Sequence, residues 1–110
     1  MENNVVEIVS FKLNPGVEKN AFLESNIAVE EFVKTLPGIL YRSLCCNEET
    51  GEWSDIVYWQ TMADAKHAQQ AFMQSECCGK LMQLIDPESV SMQHTEVLAA
   101  LECCVQAESA

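Results

Sequence analysis

The sequence predicts one small α+β domain whose strands and helices follow one another as β-α-β-β-α-β. Three observations carry that prediction. Apolar residues recur every three or four positions in two segments, Phe22 to Leu36 and from about Met62 to Phe72, the spacing of a helix with one buried face. Four other segments are rich in β-branched and aromatic residues, as strands are. Between the second and third of these, Glu48-Glu49-Thr50-Gly51 is the polar, glycine-ended loop of a hairpin.

The elements follow in order. Val5 to Leu13 reads as the first strand, and Asn14-Pro15-Gly16 as the turn after it. Phe22, Ser25, Val29, Phe32, Val33 and Leu36 share one face of the first helix, which Pro37-Gly38 stops by removing a donor and permitting a positive φ. Ile39 to Asn47 and Trp53 to Gln60 are the second and third strands. The second helix turns Ala65, Ala68, Gln69 and Phe72 inward and has Asp64 in its first turn, where the helix dipole favours a negative charge. Ser75 caps a short continuation through Leu81, Leu84 and Ile85, which Asp86-Pro87 ends. Ser89 to Leu98 is the fourth strand, with Val90, Met92, His94 and Leu98 on one face. Residues 1–98 thus form the domain and 99–110 a tail, whose first half, with Leu101 and Val105 one turn apart, is expected as a short docking helix over Leu23 and Ile27 of the first helix or over a partner subunit.

Composition narrows the function. The chain has 110 residues and a net charge of −11, and its six Lys and Arg are scattered, so no cationic surface exists for nucleic acid or an anionic membrane. No apolar run approaches the roughly 18 residues of a spanning helix. The start, Met1-Glu2-Asn3-Asn4, lacks the pattern of a signal peptide, and a cytoplasmic location is expected. Six cysteines form three adjacent pairs, Cys45-Cys46, Cys77-Cys78 and Cys103-Cys104. Adjacent strand residues point to opposite faces, which spoils chelation by Cys45-Cys46, and buried or partly buried free thiols are expected rather than a metal site. No phosphate loop, dinucleotide fingerprint or nucleophile elbow is present.

The element order fits the ferredoxin-like plan, a split βαβ arrangement with a four-stranded antiparallel sheet and helices on one of its faces. Several strands are apolar on both faces: Val5, Val9 and Phe11 oppose Val6 and Ile8, and Val57 and Trp59 oppose Ile56 and Tyr58. A sheet with one wet face would alternate more cleanly. Burial of the second face against a twin sheet, in a homodimer, is therefore expected.

The plan, the strand Trp53-Ser54-Asp55-Ile56-Val57-Tyr58-Trp59 and the following Met62-Ala63-Asp64-Ala65 resemble the dimeric α/β-barrel superfamily, and within it the antibiotic-biosynthesis-monooxygenase-like branch. The resemblance covers residues 4–98. It implies a homodimer and a cofactor-independent monooxygenase, or a related proton-transfer enzyme, acting on a small aromatic or polyketide-like molecule. No cofactor is expected. The competing reading is a non-catalytic dimer that binds a small hydrophobic ligand or regulates a partner. The haem-degrading members carry an Asn in the first strand, a Trp after the third, for which Trp59 is the counterpart, and a His in the later helical segment. Val9 or Ser10 and Lys80-Leu81-Met82 stand at those places here, so no proximal ligand for haem is available.

Cofactor-free oxygenation needs a base that makes the substrate electron-rich. His94, set among Val90, Met92 and Leu98, is the candidate catalytic base; His67 lies on the outer face of its helix. Trp59 is a candidate stacking surface for a flat ligand. Arg42, the only arginine, falls near Asp55 and is either a cross-strand ion pair or an anchor for a carboxylate or enolate. Ser25 and Asn26 on the first helix and Ser10 on the first strand complete the candidate substrate-binding set, since polar groups at inward positions need partners.

Overall fold

The structure, a computed structural model, describes residues 3–101. Four strands, β1 (Val5–Phe11), β2 (Ile39–Asn47), β3 (Glu52–Trp59) and β4 (Ser91–Glu96), form one antiparallel sheet in the order β2-β3-β1-β4. Three helices, α1 (Lys19–Val33), α2 (Met62–Met73) and α3 (Glu76–Met82), pack on a single face. This is the ferredoxin-like α+β architecture that the element order predicts. Among the described residues no helix is long and apolar enough to cross a membrane.

Local chemistry sets the boundaries. The hairpin loop closes because Asn47 Oδ1 accepts from the Glu49 and Thr50 amides, at 2.9 and 3.3 Å, while Gly51 takes φ 78°. Its register pairs Asn47 with Glu52, as the Glu48–Gly51 loop predicts, and Tyr41 with Tyr58. Thr61 caps α2 by accepting from the Asp64 amide at 3.0 Å, and Ser75 caps α3 by accepting from the Cys78 amide at 3.2 Å. Gly38, at φ 82°, ends the turn after α1, and the Asp64 side chain fills the space its missing Cβ would take.

Two elements are shorter than their sequence pattern suggests. α1 stops at Val33 because the chain tightens into turns that place Pro37 and Gly38. The fourth strand begins at Ser91, after a 3-10 turn at Pro87–Ser89 in which Asp86 Oδ1 accepts from the Glu88 amide. It ends at Glu96, so Leu98 lies beyond the sheet and is 83% exposed rather than sharing the face of Met92 and His94. Residues 99–101 form no helix, and Leu101 is 95% exposed, so the docking of the tail on Leu23 and Ile27 is absent at Leu101; Val105 and Cys103-Cys104 lie outside the described residues.

The core is divided. One part packs Phe11, Phe22, Val29, Trp53, Leu81 and Ile85, with the Phe22 and Trp53 rings 4.7 Å apart and Phe11 and Phe22 5.6 Å apart. The other packs Val5, Val57, Trp59, Ala65 and Ala68. Val33 touches both. The face of the sheet turned away from the helices contributes to neither.

Candidate functional site

A cavity of about 350 Å³ lies between the sheet and the helices, where the two parts of the core separate. Its floor is the helix-side face of the sheet, with Glu7, Val9 and Phe11 from β1, Arg42 from β2, Asp55, Val57 and Trp59 from β3 and Met92 from β4. Its roof is Phe22, Val29 and Val33 of α1, Ala68, Gln69 and Phe72 of α2, and Leu81 of α3. Met73, Met82, Val90 and Met92 line it while remaining 66%, 42%, 37% and 42% exposed, so they form its mouth. Three unbranched thioether chains give that mouth an adaptable apolar rim. Its volume falls within the range of small-molecule sites, and apolar walls with a few placed polar groups are their usual chemistry.

The polar groups are few and ordered. Glu7 stands at an inward position of β1, between Val5 and Val9. Its Oε1 accepts from Trp59 Nε1 at 3.2 Å and lies 3.1 Å from His94 Nε2. An ionised carboxylate can only accept, so His94 then carries a proton on Nε2 and donates it. Both bonds converge on Oε1. Oε2 has no hydrogen-bond partner among the described residues, although Glu7 lines the cavity. The Glu7 and His94 side chains are only 13% and 14% exposed.

Arg42 and Asp55 form a planar two-bond pair across β2 and β3, Nε to Oδ1 and Nη2 to Oδ2, both at 2.9 Å. The Arg42 side chain is 9% exposed and that of Asp55 21%. Such a fork holds both planes fixed. Gln69 of α2 is the remaining polar side chain on the cavity wall, apart from the Cys78 thiol, whose pKa burial and the neighbouring Cys77 push up.

The cavity thus brings together two of the residues that the sequence singles out, Trp59 and Arg42. His94 does not line it; it backs Glu7 from β4. Ser25 and Asn26, both half-buried on α1, lie outside the lining, and the buried Oδ1 of Asn26 has no partner among the described residues. Ser10 pairs with Ser54 and Ser91 on the opposite sheet face, because residues one position apart on a strand point oppositely. The pairing of Arg42 with Asp55 follows the hairpin register as predicted. Glu7 escaped the sequence reading, although a readable signal existed: an acid in the inward phase of Val5, Val9 and Phe11.

The free thiols divide by face. Cys46 packs against the core and Cys77 and Cys78 are partly buried, whereas Cys45, expected to be at least partly buried, is exposed because its side of β2 is uncovered.

No family model matches the chain, and no curated protein matches its sequence. Solved structures do. SnoaB of Streptomyces nogalater, a cofactor-independent oxygenase, superposes with a TM-score of 0.72 at 12% identity, over 90% of this chain and 97% of that one. A protein of Bordetella bronchiseptica designated an antibiotic biosynthesis monooxygenase gives 0.73 at 18% identity, over 89% and 100%. One of Nitrosomonas europaea with the same designation gives 0.69 at 14%, over 89% and 93%. The chain therefore has the ferredoxin-like fold, in the form that these solved proteins share.

Proposed function

We propose that this protein is a cofactor-independent oxygenase of a small, flat, apolar phenol or related enolisable aromatic, acting as a homodimer. One observation carries the reading: a carboxylate, Glu7, lines an apolar cavity and is held by Trp59 and His94 through one oxygen, while the other has no hydrogen-bond partner among the described residues. Apart from Glu7, the charged side chains on the cavity wall are Arg42 and Asp55, which pair with each other. A fixed base with one unbonded oxygen at an apolar cavity suits removal of a proton from a weak carbon or oxygen acid.

The chemistry balances without a further redox partner. Glu7 Oε2 takes a proton from the substrate, and the electron pair stays on the ring system. The carbanion gives its electrons to dioxygen and forms a carbon–oxygen bond, and Glu7 returns the proton to the peroxide. Loss of the second hydrogen from that carbon with cleavage of the oxygen–oxygen bond leaves a carbonyl and water. His94 serves as a positioning residue that holds Glu7, and Trp59 offers its ring as a wall for the ligand.

Self-association rests on the open sheet face. Three successive rows across it are Tyr41-Tyr58-Val6-Thr95, Ser43-Ile56-Ile8-Gln93 and Cys45-Ser54-Ser10-Ser91. None of the twelve is charged, in a chain of net charge −11. A face free of like charge is what two such acidic copies need in order to meet.

The test is oxygen uptake with hydroquinones and anthrone-like phenols by the wild type and Glu7→Gln. The glutamine keeps an acceptor for Trp59 and His94 and removes the base. We expect uptake by the wild type and a loss of about 10²- to 10⁴-fold in kcat in the variant, the usual contribution of a general base. Equal turnover by both proteins refutes the assignment of Glu7. Ligand retention without oxygen uptake by the wild type leaves a binding protein instead.

A further inference from the structure

Glu7 and Arg42 stand in one row across the floor of the cavity. His94 of β4, Glu7 of β1, Val57 of β3 and Arg42 of β2 are register partners in turn. Neighbouring strands lie about 4.8 Å apart, so the backbones at Glu7 and Arg42 are about 10 Å apart, with Val57 as the apolar surface between them. A flat ligand resting on Val57 would have the base at one edge and the guanidinium at the other.

The ion pair leaves Arg42 a donor to spare. Asp55 engages Nε and Nη2, and Nη1 has no protein partner among the described residues. Asp55 also neutralises the cation, so with Glu7 ionised the cavity holds one carboxylate in excess of its cations. A ligand bearing its own carboxylate would meet like charge from both acids, and such juxtaposition costs several kcal/mol. A neutral phenol would not.

We propose that Arg42 receives the charge that Glu7 creates: Glu7 takes a carbon-bound proton of an uncharged, enolisable aromatic ketone lying on Val57, and Arg42 Nη1 holds the oxyanion that forms on the conjugated carbonyl at the far edge. This rests on, and deepens, the reading of Glu7 as the base. In the step the substrate C–H bond breaks, the Glu7 Oε2–H bond forms, and the electron pair moves through the ring system onto the carbonyl oxygen. The net charge of the cavity is unchanged; it moves from the carboxylate toward the guanidinium. Asp55 keeps the guanidinium plane fixed, so no reorganisation is needed as the anion develops. The substrate class follows: neutral aromatic molecules carrying an acidic hydrogen near one edge and an oxygen near the other, in preference to aromatic acids.

The test uses a nitronaphthol whose phenolate absorbs at its own wavelength, bound to Glu7→Gln so that the base does not interfere. The pKa of the bound probe should fall by about one unit or more below its free value, the effect of a cation at close range, or about tenfold in acid constant. The fall should vanish in Glu7→Gln/Arg42→Met/Asp55→Leu, which removes the whole ion pair and so leaves no buried charge unpaired. If that variant does not fold by circular dichroism, Glu7→Gln/Arg42→Gln/Asp55→Asn supplies a neutral hydrogen-bonded pair of similar shape. The wild type should also bind 2-naphthol at least about tenfold more tightly than 2-naphthoate. The same probe pKa with and without Arg42, failure of the probe to bind, or equal affinity for naphthol and naphthoate overturns the proposal. In those cases a loss of oxygen uptake in Glu7→Gln alone still supports the base, whereas full turnover by Glu7→Gln removes both.

Discussion

Ile8 occupies the middle row of the uncovered sheet face, beside Ile56 and Gln93, and is half-buried in the isolated subunit. Replacing it with glutamate separates the stability of the subunit from that of the dimer. In the subunit the carboxylate can reach water, so the cost is the lost partial burial of the isoleucine, about 1 kcal/mol. In a face-to-face dimer the centre of the sheet lies near the two-fold axis, so each substitution places two carboxylates in the interface. A buried unpaired charge costs several kcal/mol, so about 5 kcal/mol for the pair is a conservative figure. At about 1.4 kcal/mol per factor of ten, the dimer dissociation constant rises by 10³-fold or more. Sedimentation velocity across the micromolar range reads this directly, with circular dichroism to verify folding. A wild type that sediments as a folded single subunit, or an Ile8→Glu protein that remains as dimeric as the wild type, refutes the argument.

Three further outcomes follow from the packing. Phe22→Ala empties the centre of the aromatic cluster with Phe11 and Trp53, and urea unfolding should show a loss of about 3–5 kcal/mol; below 1 kcal/mol the cluster is not the core described. Gly38→Ala combines a positive φ with a Cβ driven into Asp64, so it should cost more than the roughly 1 kcal/mol of a helical glycine exchange and be partly rescued by Asp64→Gly. At mildly alkaline pH the exposed Cys45 should react with a thiol reagent well before Cys78, because burial raises the Cys78 pKa and disfavours its thiolate. That raised pKa also sets a sign. Whatever stability Cys78 contributes is intact below the ordinary thiol pKa and declines as the pH rises through the folded value. Mass spectrometry that finds Cys78 labelled first contradicts the placement.

The fold was legible because its signals are local. The Asn47–Glu52 register follows from one loop, and through it the opposition of Tyr41 and Tyr58 and the pairing of Arg42 with Asp55. The site was legible only in part. His94 drew attention as the imidazole of an apolar strand, but strand periodicity gives the face of a residue and not what stands in front of it. Glu7, one strand nearer the cavity, intervenes. Ser10 illustrates the same limit: a small polar residue on a strand is inward or outward by its phase, and its neighbours Val9 and Phe11 take the inward positions. Ser25 and Asn26 share the apolar side of α1, yet the cavity meets α1 through Phe22, Val29 and Val33. Which part of a helix faces a cavity depends on how the core divides, and that is a property of all the elements together.

The central claim is that a ligand lies on Val57 between Glu7 and Arg42. A crystal structure of the protein with bound 2-naphthol tests it most directly. We predict a planar ligand within the cavity, lying on Val57 with its hydroxyl in hydrogen-bond contact with Glu7 Oε2 or Arg42 Nη1. A ligand seated on the open sheet face, or one within the cavity whose hydroxyl avoids both residues, contradicts the account.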